Sequence, residues 1–116
     1  MNTPTDRDLD YIAAILDHCD RIEEILKRLD YSKDRYNGDP VFQDAVKMNI
    51  FQIGELSNQI SDELKEAVSD LPWHQMYGAR NIIAHGYAKV DEDIIWDTCI
   101  HDIPELKKKL GKIYGE

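Results

Sequence analysis

The sequence predicts an all-α fold, one antiparallel bundle of four to five helices formed by a single domain over residues 1–116. Three observations lead there. Apolar residues recur at spacings of three and four along most of the chain, the period of one helix face. Aspartate, serine, proline and glycine stand at the borders of these stretches, where caps and stops belong. No stretch alternates apolar and polar residues as a half-buried strand would.

Leu9, Ile12, Ala13, Leu16, Cys19, Ile22, Leu26 and Leu29 form the stripe of a long first helix. Tyr31 to Pro40 then breaks the period with Asn-Gly and Asp-Pro turn chemistry. Asp39 is placed to cap a second helix with Pro40 at its first position, and Phe42, Ala45, Val46, Asn49, Ile53, Leu56 and Ile60 are its expected inner face. Ser61 caps a short continuation carrying Leu64 and Val68. Leu71-Pro72-Trp73 opens a third segment with Pro72 in its first turn and Met76, Ala79 and Ile83 pointing inward. Gly86 is its natural stop, a glycine suited to a left-handed exit. Asp91 caps the next helix, with Glu92 and Asp93 favoured by the dipole of its first turn. Ile94, Ile95, Trp96, Cys99 and Ile103 supply its apolar residues, Pro104 bends or restarts it, and Leu106, Leu110 and Ile113 carry a closing turn or two.

Net charge is −9, from 23 acidic and 14 basic residues. Phosphate contacts drive most non-specific nucleic-acid affinity, so this balance argues against a broad RNA-coating surface. It favours a small local basic site or a basic partner. Met1 to Asp8 contains no apolar segment of a secretory signal, and no apolar run approaches the roughly 20 residues that cross a bilayer. Cys19 and Cys99 lie on apolar stripes without metal-like spacing, the expectation for small buried hydrophobes in a reducing cytosol. A cytoplasmic protein is expected.

The most chemically pointed stretch is Arg80-Asn81-Ile82-Ile83-Ala84-His85-Gly86-Tyr87. Arginine neutralises phosphate through a planar fork of donors, and histidine gives and takes protons near neutral pH. With a phenol two residues on, these are tools for opening a phosphodiester without a metal. The expected chemistry is attack of an RNA 2′-hydroxyl on its neighbouring phosphate, His85 serving as base or acid and Arg80 stabilising the phosphorane. Asn81, four residues before His85 and on its face, would orient His85 or the phosphate. Arg80 is five residues from His85, about 140° around the helix. Convergence therefore calls on arginine's reach, a turn at Gly86, or a second copy across a twofold axis.

Other groups have plainer readings. No two histidines lie at i, i+4, and no Glu-x-x-His or Cys-x-x-Cys spacing appears, so no metal or cofactor is expected. Glu55 beside Gly54 reads as a carboxylate at a helix crossing, bonded to a neighbouring helix. Trp73 and Trp96 read as core or interface anchors. Lys107, Lys108, Lys109 and Lys112 read as a solvated face near a helix end.

The octet resembles the arginine, four residues, histidine, one residue, tyrosine signature of HepT-like toxins of the HEPN ribonuclease superfamily. Asn49 to Leu56 is similar to the family's second-helix segment with its Ile-Gly-Glu core. Leu71-Pro72-Trp73 before Arg80-Asn81, Val90 to Trp96, and Ile103-Pro104-Glu105-Leu106 resemble further family segments in order and spacing, over about residues 6 to 113. One departure is Gly86, where an aspartate is common, which removes a potential partner of His85. The resemblance implies a homodimeric HEPN-like bundle acting as a metal-independent endoribonuclease on RNA of the tRNA or mRNA class. It implies Arg80 and His85 as catalytic, Asn81 as supporting, and a type VII pairing with a nucleotidyltransferase antitoxin of the MntA type that transfers AMP to Tyr87. The rival expectation is a non-catalytic dimeric scaffold that binds such a partner and is modified by it.

Overall fold

A computed structural model describes residues 4–86 and 89–115. Tyr87, on which the expected modification falls, lies outside the described residues.

The first helix, α1 (Asp6–Arg28), begins at Thr5, whose side chain accepts the Asp8 N–H at 3.0 Å. Its buried stripe is shifted from the expected one, with Ile15 and Ile25 buried while Leu9 and Ala13 are only partly covered, because α1 is packed by two other helices. At its end Asp30 and Tyr31 take left-handed backbone angles (φ 52° and 53°) and reverse the chain. The following residues do more than turn. Ser32 caps a five-residue helix, α2 (Lys33–Asn37), which delivers Tyr36 to the core with no exposure at all.

Asp39 caps α3 (Pro40–Gln59) through the Phe42 N–H, with Pro40 in the first turn, as expected. The inner face is rotated from the expected one: Ile50, Gly54 and Ser57 are buried with Val46 and Ile53, while Phe42, Ala45 and Leu56 are only partly covered. Asn49 faces α1, where its side-chain oxygen meets His18 Nδ1 at 2.8 Å. Ser61 caps α4 (Asp62–Ala67). In α5 (Trp73–Gly86) Pro72 is the cap rather than a first-turn residue, its carbonyl accepting from the Met76 N–H.

Asp91 caps α6 (Glu92–Asp97), which runs through a π-helical turn at residues Thr98–Asp102 into α7 (Ile103–Tyr114), a helix of 12 residues rather than a turn or two. The π turn precedes Pro104, whose missing N–H cannot continue the regular ladder, and the Ile103 N–H reaches five residues back to the Thr98 carbonyl. Ile94, expected to face the core, is 43% exposed.

α1 packs on α3 and on α7, α3 packs on α5, and α5 meets the π turn, closing a four-membered bundle around one core. Cys19 and Cys99 are buried in it, and burial pushes both thiols up to about 12, outside any reactive range. Among the described residues no helix is long and apolar enough to cross a membrane. Two lysines of the run are paired with acids: Lys107 bonds Asp20 and Glu23 of α1 at 2.8 and 2.9 Å, and Lys109 bonds Asp70 at 2.8 Å, while Lys108 and Lys112 are exposed.

One buried carboxylate ties the start of α1 to the start of α4. Asp8 of α1 accepts from the Ser61 N–H (2.9 Å) and hydroxyl (2.6 Å), clamping the α4 cap. Burial by itself would raise the Asp8 carboxyl, but the hydrogen bonds from Ser61 and Thr5 outweigh it and hold the group below its usual range. The folded value is depressed, so this stabilisation is present above the unfolded value near 3.8 and fades as pH falls through the folded one. Asp8→Ala is expected to cost about 1–3 kcal/mol at neutral pH, since it strands buried donors. In urea unfolding the gap between variant and parent should close in strong acid; a gap independent of pH would contradict the ionised clamp.

Candidate active site

The site is built where α3 crosses α5. Gly54 is buried at the crossing, and a Cβ there would stand 2.4 Å from Arg80 Cβ and 2.7 Å from Cγ. Real Cβ atoms do not approach so closely, so only glycine lets the arginine stem lie directly on the α3 backbone. The guanidinium is then gripped on several sides. Its Nε donates to Glu55 Oε1 at 2.5 Å, its Nη1 donates to Asn81 Oδ1 at 2.8 Å, and its Cζ lies 5.3 Å from the centre of the Phe51 ring.

These contacts are better at orienting than at stabilising. The Arg80 side chain is 26% exposed and that of Glu55 44%. Ion pairs with this much solvent contribute at most about 1 kcal/mol. What the arrangement secures is direction, with a cation held by its inner edge beside a surface groove.

The groove, about 630 Å³, is lined by Met48, Phe51, Ile83, Ala84 and Val90 together with Asp44 and Lys47. Met48 is 59% exposed on the same helix face. Downstream, Glu92 accepts from the Tyr36 hydroxyl (2.6 Å) and from Lys47 Nζ (2.7 Å), pinning the start of α6 to α2 and α3. Burial and the Glu92 carboxylate both push the Tyr36 phenol up, so it remains a neutral donor.

His85 sits exposed in the last turn of α5. The expected left-handed exit at Gly86 is absent: Gly86 is the last helical residue, and Gly115 is the only glycine with positive φ among the described residues. His85 therefore keeps its helical place, about 140° around and about 7.5 Å along the axis from Arg80. Of the two expected partners of Asn81, His85 or a phosphate, among the described residues no hydrogen bond joins it to His85, and its oxygen accepts from Arg80. A Cβ on Gly86 would come within 3.2 Å of Val90 Cγ2, so glycine lets Val90 close against the helix end.

The structure thus gathers Arg80 and Asn81 into one bonded unit, leaves His85 on a different face of the same helix, and adds Phe51, Gly54 and Glu55 as the arginine's surroundings. Glu55 is bonded to the neighbouring helix, as its position beside Gly54 suggested. Phe51 carried no signal of its own, because the spacing within α3 does not reveal which helix crosses it.

No solved structure matches the chain. Known proteins do. The chain is 32% identical over 104 residues, 90% of its length and 93% of the relative's, to "Probable ribonuclease HepT" of Thermococcus cleftensis. It is 32% identical over 103 residues, 89% of its length and 90% of the relative's, to "Putative RNase TTE0752" of Caldanaerobacter subterraneus. Similarity to "Putative RNase MJ1380" of Methanocaldococcus jannaschii is 29% over 100 residues, covering 86% of this chain and 90% of that one. The sequence profile described as "Ribonuclease HepT-like" matches residues 15–113, from the middle of α1 to the last turn of α7 and including the whole Arg80–His85 segment, and the chain belongs to the HepT-like ribonuclease family.

Proposed function

We propose that this protein is a metal-independent endoribonuclease, the toxin half of a toxin–antitoxin pair. The observation that carries the reading is the oriented Arg80 with an exposed histidine five residues further along the same helix, in a family described as ribonucleases. His85 moves the proton, from the attacking 2′-hydroxyl or to the departing 5′-oxygen, and Arg80 offsets the charge that builds on the phosphorane. The products are a 2′,3′-cyclic phosphate and a 5′-hydroxyl. Asn81 acts through Arg80.

A homodimer completes the reading. Arg80 and His85 diverge around α5, so two copies meeting across a twofold axis would bring one protomer's arginine towards its partner's histidine. The apolar groove with Met48 and Phe51 supports the α3–α5 face as the contact, since an exposed apolar surface beside a charged site is unfavourable in water. Sedimentation of the purified protein tests this, with Met48→Asp expected to shift dimer to monomer.

Tyr87 is the regulatory residue in this proposal. A nucleotidyltransferase partner would attach AMP through the phenol oxygen, releasing pyrophosphate from ATP. The added phosphate and bulk beside His85 would exclude a substrate phosphate. Intact-mass measurement with the partner and ATP should show addition to the wild type and none to Tyr87→Phe. Equal addition to both would remove Tyr87 from the account. Incubating the purified protein with RNA in EDTA tests the nuclease itself, and cleavage products with cyclic phosphate ends are expected. Absence of cleavage, together with harmless expression without the partner, would favour the scaffold.

A further inference from the structure

We infer that Gly54 and Glu55, with Phe51 one turn earlier on α3, form a socket that sets the direction of the Arg80 guanidinium, making them positioning residues for cleavage. The inference rests on the ribonuclease reading above. A long arginine side chain with several rotatable bonds samples many directions when free. Arg80 is not free. Its stem lies where a Cβ on Gly54 would stand at 2.4 Å, its Nε–H ends on Glu55 Oε1, and the Phe51 ring lies beside its charged carbon.

The edge that is used matters. Glu55 takes the Nε–H, the donor nearest the stem, which fixes the plane of the group. Asn81 takes one Nη1 donor. Among the described residues this engages two of the guanidinium's five N–H groups, and the donors at its far end suit a phosphate's planar pairing. Gly54 and Glu55 are consecutive, so one turn of α3 provides both the space for the stem and the anchor for the head. Glu55 also places a negative charge where a polyanion must bind. That is a disadvantage for affinity, and it makes sense only if direction is worth more than local charge.

That trade gives the socket a signature that a merely structural Glu55 would lack. Cleavage by wild type, Glu55→Ala, Glu55→Gln and Gly54→Ala is to be measured as separate kcat and KM values, with circular dichroism on each. Glu55→Ala should lose up to about 100-fold in kcat, the scale of a misplaced group of about 1 Å. Glu55→Gln keeps the acceptor oxygen and removes the charge, so it should restore most of that kcat and lower KM. In an Arg80→Ala background Glu55→Ala should change nothing further, because its effect passes through Arg80. Wild-type kcat in Glu55→Ala, or an equal additional loss in the Arg80→Ala background, overturns the socket.

If wild type cleaves no RNA, the ribonuclease reading fails by itself, and the socket is read directly by NMR. The Arg80 Nε–H signal should exchange slowly with water in wild type and quickly in Glu55→Ala. Equal exchange in the two would overturn it. Should Gly54→Ala fail to fold, the partly exposed Glu55 variants carry the test alone.

Discussion

Arg80→Ala is expected to lower RNA cleavage by about 10²–10³-fold, and His85→Ala by about 10²–10⁴-fold, both with EDTA present. The first figure is the scale of removing one preorganised charge donor from a transition state. The second is the scale of losing general acid–base work. Neither change should unfold the protein. Arg80's ion pair with Glu55 is partly in solvent, and His85 is exposed, so melting temperatures should move little. The pair acts on one step, so the double variant should be scarcely worse than the poorer single one. Wild-type rates from a folded His85→Ala protein would end the nuclease assignment. Arg80→Lys is a useful companion: it keeps the charge but loses the Nε anchor and the planar fork, and most of the activity should go with them.

Tyr36→Ala should be the most destabilising single change outside the long helices, at about 3–5 kcal/mol in chemical unfolding. Tyr36 has no exposed surface, lies with its ring centre 5.3 Å from that of Trp96, and donates to Glu92 across 56 residues of sequence. Removing the ring opens a cavity between α2, α3 and α6 and unpins the start of α6. Tyr36→Phe keeps the ring and loses only the hydroxyl. Glu92 still holds Lys47, so the cost should fall to about 0.5–1.5 kcal/mol. A Tyr36→Ala protein as stable as its parent would show that α2 is not part of the cooperative core.

The same residue shows where pattern reading stops. Asn37-Gly38 and Asp39-Pro40 are strong turn signals, and they do end the segment. A five-residue helix is too short to display a period, so nothing local announces that Tyr36 is core. The long helices were legible because a face of 20 or more residues repeats its period several times, and Asp39, Ser61 and Asp91 mark starts by chemistry that needs only the next two or three residues. The shifted stripe of α1 and the rotated face of α3 depend on which neighbours each helix has. Gly86 misled for a related reason: glycine permits a left-handed exit but does not require one, and the close approach of Val90 uses the missing Cβ instead.

For the candidate site, the sequence by itself determined the helical class, the caps, and the presence of arginine, histidine and tyrosine at fixed separations on one segment. Those are properties of a few consecutive residues and of a 3.6-residue period. Only the tertiary structure decided that α3 crosses α5 at Gly54, that Glu55 and Phe51 belong to Arg80, and that the Asn81 oxygen accepts from the arginine. The physical reason is distance along the chain. Glu55 and Arg80 are 25 residues apart, and which carboxylate a guanidinium meets is settled by how two helices pack, a choice that the periodicity of neither helix contains.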